Sequence, residues 1–223
     1  MTCARLLQAR DAIVFDLDGT LVDTLPDLAA ALDAALAELG APAVPASLVR
    51  RSLHGGLEAS ALEAVRYLEL GDALAVPLVD AYARHYAGAT ARASRPYPGV
   101  AALLERLSGD GARLAVCTNK HLAQAELLLE ATGLDRHIEA VIGADSCARR
   151  KPDPEPVRLA LARLRAAARD ALMVGDSIVD VRAAHGAGVV SLVHVAGYGD
   201  VPFDEPGVEG RFGSYGQLLA GMG

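Results

Sequence analysis

The chain has 223 residues, 52% of them hydrophobic, and a formal net charge of −7. That length suits one domain carrying a sizeable insertion, with ample apolar content for a core. The acidic balance argues against a nucleic-acid binder, which calls for a basic face, and no uncharged apolar run reaches membrane-spanning length, since even Leu28 to Leu39 is broken by Asp33 and Glu38.

The first predicted element is a strand over Ala12 to Phe15, four apolar residues that fit burial on both faces. It stops at Asp16-Leu17-Asp18-Gly19. Next comes a helix from Leu25, with Leu28, Leu32, Leu36 and Leu39 on one stripe and Gly40 as its stop. Pro45 to Leu53, Leu57 to Leu70 and Leu74 to Ala87 read as further helices, broken by Gly55, Gly56 and Gly71. This helical block, residues 22–95, is expected to be a small inserted helical domain, with residues 1–21 and 96–223 forming the core.

Beyond Tyr97-Pro98-Gly99 the pattern alternates. Helices are predicted over Val100 to Leu107, Leu122 to Ala131, Glu155 to Leu164 and Ile178 to His185, and strands over Arg113 to Cys117, Ala140 to Ile142, Ala171 to Val174 and Val189 to Val195. Such alternation implies right-handed crossovers and a doubly wound, Rossmann-like parallel sheet. Gly197 to Gly223, glycine-rich with a short helix over Gln217 to Ala220, reads as a closing tail.

In a sheet of this kind functional groups gather beyond the carboxyl ends of the strands. Those ends deliver Asp16 and Asp18, then Thr118-Asn119-Lys120, then Lys151-Pro152, then Gly175-Asp176-Ser177 with Asp180 beyond. In an extended segment Asp16 and Asp18 point to one side. Two carboxylates sharing a small space disfavour joint ionisation, and a divalent cation would resolve that cost. Asp16 is then a candidate ligand and nucleophile, and Asp18 a candidate proton carrier. The plainer alternative is a strand running into an Asx-type turn. Thr118 could likewise be a helix cap, Lys151 a solvated lysine, and Asp180 the cap of the helix that follows it.

Cys3, Cys117 and Cys147 are far apart and form no C-x-x-C, so neither a disulfide framework nor a zinc site is expected. The six histidines show no ligand spacing. The only lysines in an arginine-rich chain are Lys120 and Lys151, which hints at a need for compact point charges there. The first ten residues lack a continuous apolar signal segment, and a cytoplasmic location is expected.

Asp16-Leu17-Asp18-Gly19-Thr20, Thr118, Lys151 and Gly175-Asp176-Ser177 with Asp180 resemble, in order, the four motifs of the haloacid dehalogenase-like hydrolases. Within that family the chain is similar to bacterial phosphoglycolate phosphatases, on Asp-Leu-Asp-Gly-Thr-Leu-Val-Asp-Thr, Cys-Thr-Asn-Lys, Arg-Lys-Pro-Asp-Pro and Gly-Asp-Ser. The resemblance implies a Mg²⁺-dependent phosphatase acting on a small phosphate ester, most readily 2-phosphoglycolate, through an aspartyl-phosphate on Asp16. Asp18 would protonate the leaving oxygen and then activate water. Thr118, with Asn119 alongside, and Lys151 would hold the phosphoryl group. Asp16, Asp176 and the Asp18 main-chain carbonyl would bind the metal, with Asp180 behind them orienting the ligands or Lys151.

His54-Gly55-Gly56 falls where phosphoglycolate phosphatases carry a glycine-x-glycine loop that contacts substrate, and His54 departs from that pattern. These three are candidate substrate contacts, and Arg50, Arg51 and Arg66 candidate partners of a substrate carboxylate, against a solvated helix face. A dehalogenase would not need Asp18, whereas a β-phosphoglucomutase-like mutase would keep both acids. From a different class, a receiver-like signalling domain also pairs acids with Mg²⁺, but has no reason to carry a helical block of this size.

Overall fold

The computed structural model describes residues 2–89 and 91–223. The chain divides into two compact units, Met1–Asp23 with Pro96–Gly223, and Thr24–Arg95. Along the sequence a short helix α1 (Cys3–Gln8) precedes β1 (Ala12–Phe15), and the two-residue strands β2 (Val22–Asp23) and β3 (Arg95–Pro96) stand where the chain leaves the larger unit and returns to it. Between them lie α2 (Leu25–Glu38), α3 (Ala46–Ser52), α4 (Gly56–Tyr67) and α5 (Ala75–Ala87). After them come α6 (Val100–Gly109), β4 (Arg113–Cys117), α7 (Leu122–Thr132), β5 (Ala140–Ile142), α8 (Glu155–Leu164), β6 (Ala171–Gly175), α9 (Ile178–Gly186), β7 (Val190–His194), β8 (Val208–Phe212) and α10 (Tyr215–Ala220).

The larger unit is built on one six-stranded parallel sheet in the order β5-β4-β1-β6-β7-β8. β1 is central and buried at every position, as a parallel strand covered on both faces must be. Its even residues Ala12 and Val14 join Ala115, Met173 and the apolar stripes of α8 and α9 in one core. The alternate residues Ile13 and Phe15 are equally buried on the other face. The chain builds β4 and β5 on one side of β1 and then crosses to build β6 to β8 on the other. The crevice beyond the ends of β1 and β6 is therefore a topological switch point, where open α/β sheets place their ligands.

The smaller unit is a helical bundle. Leu28, Leu32 and Leu36 of α2 are fully buried, at the spacing that puts them on one face, and pack with residues of α3, α4 and α5 around Tyr82 and Tyr86. One polar residue at the start of α2 fastens the unit's end to its beginning. The carboxylate of Asp27, itself buried, accepts from the backbone N–H of Ala93 at 2.8 Å, the backbone N–H of Ser94 at 2.8 Å and the Ser94 hydroxyl at 2.6 Å. Hydrogen bonds to a charged acceptor out of water contribute more than neutral ones, so this knot is a structural element in its own right.

The fold departs from the sequence reading at the C-terminus. Val208–Phe212 is no tail but the sixth strand, pairing in parallel with β7 through an irregular register between Ser191 and Leu192. Its sequence, Val-Glu-Gly-Arg-Phe, carries two charges and a glycine because it is an edge strand with only its ends apolar. No helix among the described residues is long and apolar enough to cross a membrane.

Candidate active site

Register decides which residues meet at the sheet edge. Phe15 pairs with Val116 on β4 and Val174 on β6, so Asp16, the first residue past β1, lies level with Cys117 and Gly175, and its N–H donates to the Val174 carbonyl at 2.9 Å. Thr118 and Asp176 follow one step further along their own strands. Leu17 is fully buried, while Asp16 and Asp18 turn the other way, as a two-residue spacing dictates. The loop then closes tightly, Gly19 N–H donating to Val22 O at 2.9 Å and Val22 N–H to Leu17 O at 3.0 Å.

Lys151 is the hub. Its ammonium donates to Asp16 Oδ1 at 2.8 Å, Asp180 Oδ1 at 2.6 Å and the Cys117 carbonyl at 2.6 Å, which occupies all three of its donors. Burial by itself would lower its pKa, but the carboxylates of Asp16 and Asp180 outweigh burial and hold it above the ordinary lysine value. Asp180 has a second attachment. Its Oδ2 accepts from the N–H of Ser177 at 3.1 Å and from the Ser177 hydroxyl at 2.6 Å, completing a capping box at the start of α9. Asp180 thus touches Lys151 through one oxygen and, through the other, is the third residue of a capping box whose N-cap is Ser177.

The second ammonium has a different partner. Lys120, with a side chain only 5% exposed, sits 3.0 Å from Asp18 Oδ1. Thr118 does not cap α7, whose N-cap is His121. Its hydroxyl oxygen instead accepts from the Lys120 backbone N–H at 3.2 Å. Asn119 points its amide at the loop before α8, donating to the Lys151 carbonyl at 3.0 Å.

Asp176 is held by a first-motif residue and by a loop absent from the motif reading. Its Oδ1 accepts from the Thr20 hydroxyl at 3.1 Å, and its Oδ2 from the backbone N–H groups of Tyr198 at 2.7 Å and Gly199 at 3.1 Å. A β-carbon at Gly19, where φ is +83°, would lie 2.5 Å from Asp176 Oδ2, and one at Gly197 would lie 2.5 Å from the Gly19 carbonyl. Only glycine lets these two loops close on that carboxylate. His194 braces the same turn, its Nδ1 donating to the Gly19 carbonyl at 3.1 Å inside a box of Tyr97, Phe212 and Tyr215 rings. The signal for this loop was available. It follows a predicted strand on the same edge, and its glycine pair marks a close backbone approach.

The acidic groups outnumber the bases. Ligand oxygens of Asp16, Asp176 and Asp180 lie within 4.8 Å of one another and all three residues are buried. Burial pushes the Asp16 carboxyl well above its ordinary value and the Asp180 charge adds to this, against the pull of Lys151. With Asp18 included, four carboxylates face two ammonium groups. The donor set is oxygen alone, so the residues fit a hard ion such as Mg²⁺. Both oxygens of Asp180 and both of Asp176 accept hydrogen bonds, the former from Lys151 and Ser177 and the latter from Thr20, Tyr198 and Gly199. Cys117, its thiol pushed up to about 12 chiefly by burial, is not a nucleophile.

The family model for haloacid dehalogenase-like hydrolases matches residues 13–194. The chain belongs to that family. A phosphoglycolate phosphatase of Cupriavidus necator, plasmid-borne, is 41% identical over 179 residues, covering 80% of this chain and 78% of the relative. Among solved structures, a predicted phosphoglycolate phosphatase of Haemophilus somnus superposes with a TM-score of 0.88 at 30% identity, over 96% of this chain and 99% of that one. A mutant of CbbY of Rhodobacter sphaeroides, in complex with xylulose-1,5-bisphosphate, gives 0.79 at 27% identity over 96% and 99%. In this company the haloacid dehalogenase-like hydrolase described here is a phosphatase, a phosphoric monoester hydrolase. The family match also disposes of the receiver alternative.

The residues expected to contact substrate are not all in one unit. His54, Gly55 and Gly56 belong to the helical bundle, at a 3₁₀ turn joining α3 to α4, with Gly56 at φ +83°. Arg66 is a solvated residue of α4, 3.8 Å from Glu63.

His194 ties protein stability to pH. Burial lowers its pKa against the opposing hydrogen bond to Gly19, so the folded state resists a proton that the unfolded chain accepts at the ordinary histidine value of about 6.5. Stability from this residue is complete above about pH 6.5 and declines as pH falls below it. Urea midpoints measured on both sides of that value should drop on acidification more steeply in the wild type than in His194→Gln; parallel slopes would show that His194 is not the buried neutral group described.

Proposed function

We propose that the protein hydrolyses 2-phosphoglycolate, or a phosphate monoester of similar size, through an aspartyl-phosphate on Asp16. The observation that carries this reading is the Asp16 carboxylate at the switch point, one oxygen pinned at 2.8 Å by a buried ammonium that is itself fixed by Asp180 and the Cys117 carbonyl. A nucleophile in phosphoryl transfer needs orientation and nearby positive charge more than any other help from the protein. Asp16 attacks phosphorus as the bond to the alcohol oxygen breaks, and Asp18 gives that oxygen its proton. Asp18 then takes a proton from the water that attacks the phosphorus of the aspartyl-phosphate, releasing phosphate and restoring Asp16.

Thr118 supports this. Its oxygen accepts from Lys120 N–H, which leaves the hydroxyl proton for a phosphoryl oxygen. Asn119 serves the phosphoryl site through the Lys151 loop. Asp16, Asp176 and the main-chain carbonyl of Asp18 are the oxygens assigned to Mg²⁺, which when bound supplies charge to the equatorial phosphoryl oxygens. The helical unit, with His54, Gly55 and Gly56, is assigned the choice of ester. Support for 2-phosphoglycolate comes from the relatives' activity; support for a second reading, a sugar phosphate, comes from the bisphosphate held by CbbY.

Three outcomes are expected. Asp16→Asn should lower Mg²⁺-dependent turnover of p-nitrophenyl phosphate by more than about 10³-fold with an unchanged circular dichroism spectrum, and near-normal turnover would exclude Asp16 as nucleophile. Mg²⁺ should raise the melting temperature more at about pH 8 than at about pH 5, because the ion competes with the proton that burial favours on Asp16. In a panel of esters kcat/KM should be highest for 2-phosphoglycolate; a preference for a sugar phosphate, with phosphate or an isomerised sugar as product, would transfer the assignment to the second reading or to a mutase.

A further inference from the structure

The hydrolase motifs account for Lys151 and leave Lys120 without a task. Yet Lys120 is placed as deliberately as Lys151. It stands at the end of β4, two residues past Thr118, with its side chain 5% exposed and its ammonium 3.0 Å from Asp18 Oδ1. Its backbone is fixed on both sides, the N–H donating to Thr118 Oγ1 at 3.2 Å and the carbonyl accepting from Ala144 N–H at 2.9 Å. A buried ammonium is costly unless paired, and the partner on this end of the sheet is the carboxylate two residues from the nucleophile.

We propose that Lys120 is a positioning residue for Asp18, fixing the plane of its carboxyl so that proton transfer to the leaving oxygen can occur. The inference rests on the reading of Asp18 as the proton carrier. Asp18 is more open than its neighbour, with a side chain 18% exposed against 10% for Asp16, and its loop is short and turns at Gly19. A carboxyl on a tight turn retains freedom about its last torsion, which is broad for Asp. An ion pair to one oxygen removes that freedom and presents the other edge. Arginine would bring a wider, planar fork to this spot, whereas an ammonium is a compact point that engages one oxygen. Atoms balance as in the hydrolysis above: the proton leaves Asp18 for the alcohol oxygen as the P–O bond breaks and is replaced from water in the second step, with Lys120 keeping its own.

This role has a signature that a merely structural or charge-supplying lysine lacks. kcat/KM reports the steps through the first irreversible one, here departure of the alcohol. An alkyl alcohol needs its proton to depart; p-nitrophenol leaves as the stable phenolate. Lys120→Met should therefore lower kcat/KM for an alkyl phosphate such as 2-phosphoglycolate by on the order of 10²-fold while changing p-nitrophenyl phosphate by no more than about threefold. Lys120→Gln provides the same comparison should the Met variant fail to fold, since residual p-nitrophenyl phosphate turnover reports folding in the same sample. In an Asp18→Asn background the lysine substitution should alter the alkyl-to-aryl ratio no further. Equal losses on both esters, no loss on either, or full additivity in the double variant would overturn the proposal. A wild-type protein inactive on every ester would instead remove the phosphatase reading on which it stands.

Discussion

A single ammonium organises the end of the sheet. Carboxylates at the ends of β1 and α9's first turn cannot be brought together in a buried space by packing alone, because each would be taken from water beside another of like charge. Lys151 makes the arrangement possible by standing between Asp16 and Asp180, and the Cys117 carbonyl takes its third proton. That carbonyl belongs to β4, Asp16 follows β1 and Asp180 follows β6, so the lysine bridges three strands whose relative register is already fixed by their backbone ladders. Removing one charged partner of such a buried pair leaves the other uncompensated, at a cost of roughly 3 to 5 kcal/mol. The charged groups of the site are therefore held by one another as well as by the backbone ladders.

The C-terminal part of the sheet serves the same end. β7 delivers His194, whose neutral ring holds the Gly19 carbonyl, and then the loop whose Tyr198 and Gly199 amides hold Asp176. The β8 and α10 residues Phe212 and Tyr215 pack around that histidine, and the Tyr215 hydroxyl, its pKa raised by burial, donates to the Thr20 carbonyl at 2.7 Å. Thr20 in turn holds Asp176. The last thirty or so residues are thus a support for the turn after β1, which explains why the sheet is extended beyond the strands that carry the motif acids.

The sequence made the two-layered covering of the sheet, the helical insertion and the motif acids legible, because each rests on local signals: alternation of strand and helix, a leucine stripe at helical spacing, acids at predicted strand ends. What escaped was what depends on distant pairing. Val208–Phe212 has two charged residues and one glycine, and only the edge of an existing sheet makes a strand of it. Asp27 looks like an ordinary first-turn acid, and nothing local shows that it will hold Ala93 and Ser94. Gly197 and Gly199 read as part of a closing tail when their smallness is in fact a requirement for closing on Asp176. Thr118 shows the converse, a local cap signal overridden because α7 starts later, at Leu122, with His121 as its N-cap.

The two lysines also divide the work between the two acids of the first motif. Separated by one residue, Asp16 and Asp18 would be chemically equivalent in an unfolded chain. The fold gives them different counterions from different strands: Lys151, saturated by three acceptors and unable to turn, for Asp16, and Lys120, reaching from the end of β4, for Asp18. It also gives them different surroundings, since Asp16 shares its pocket with two further carboxylates while Asp18 stands nearer to solvent. The proposed reaction, a covalent phosphate on one carboxyl and a proton moved with the other, needs such a distinction, and neighbours rather than residue type are the means of making it. Both lysines of this arginine-rich chain thus stand against acids of the first motif.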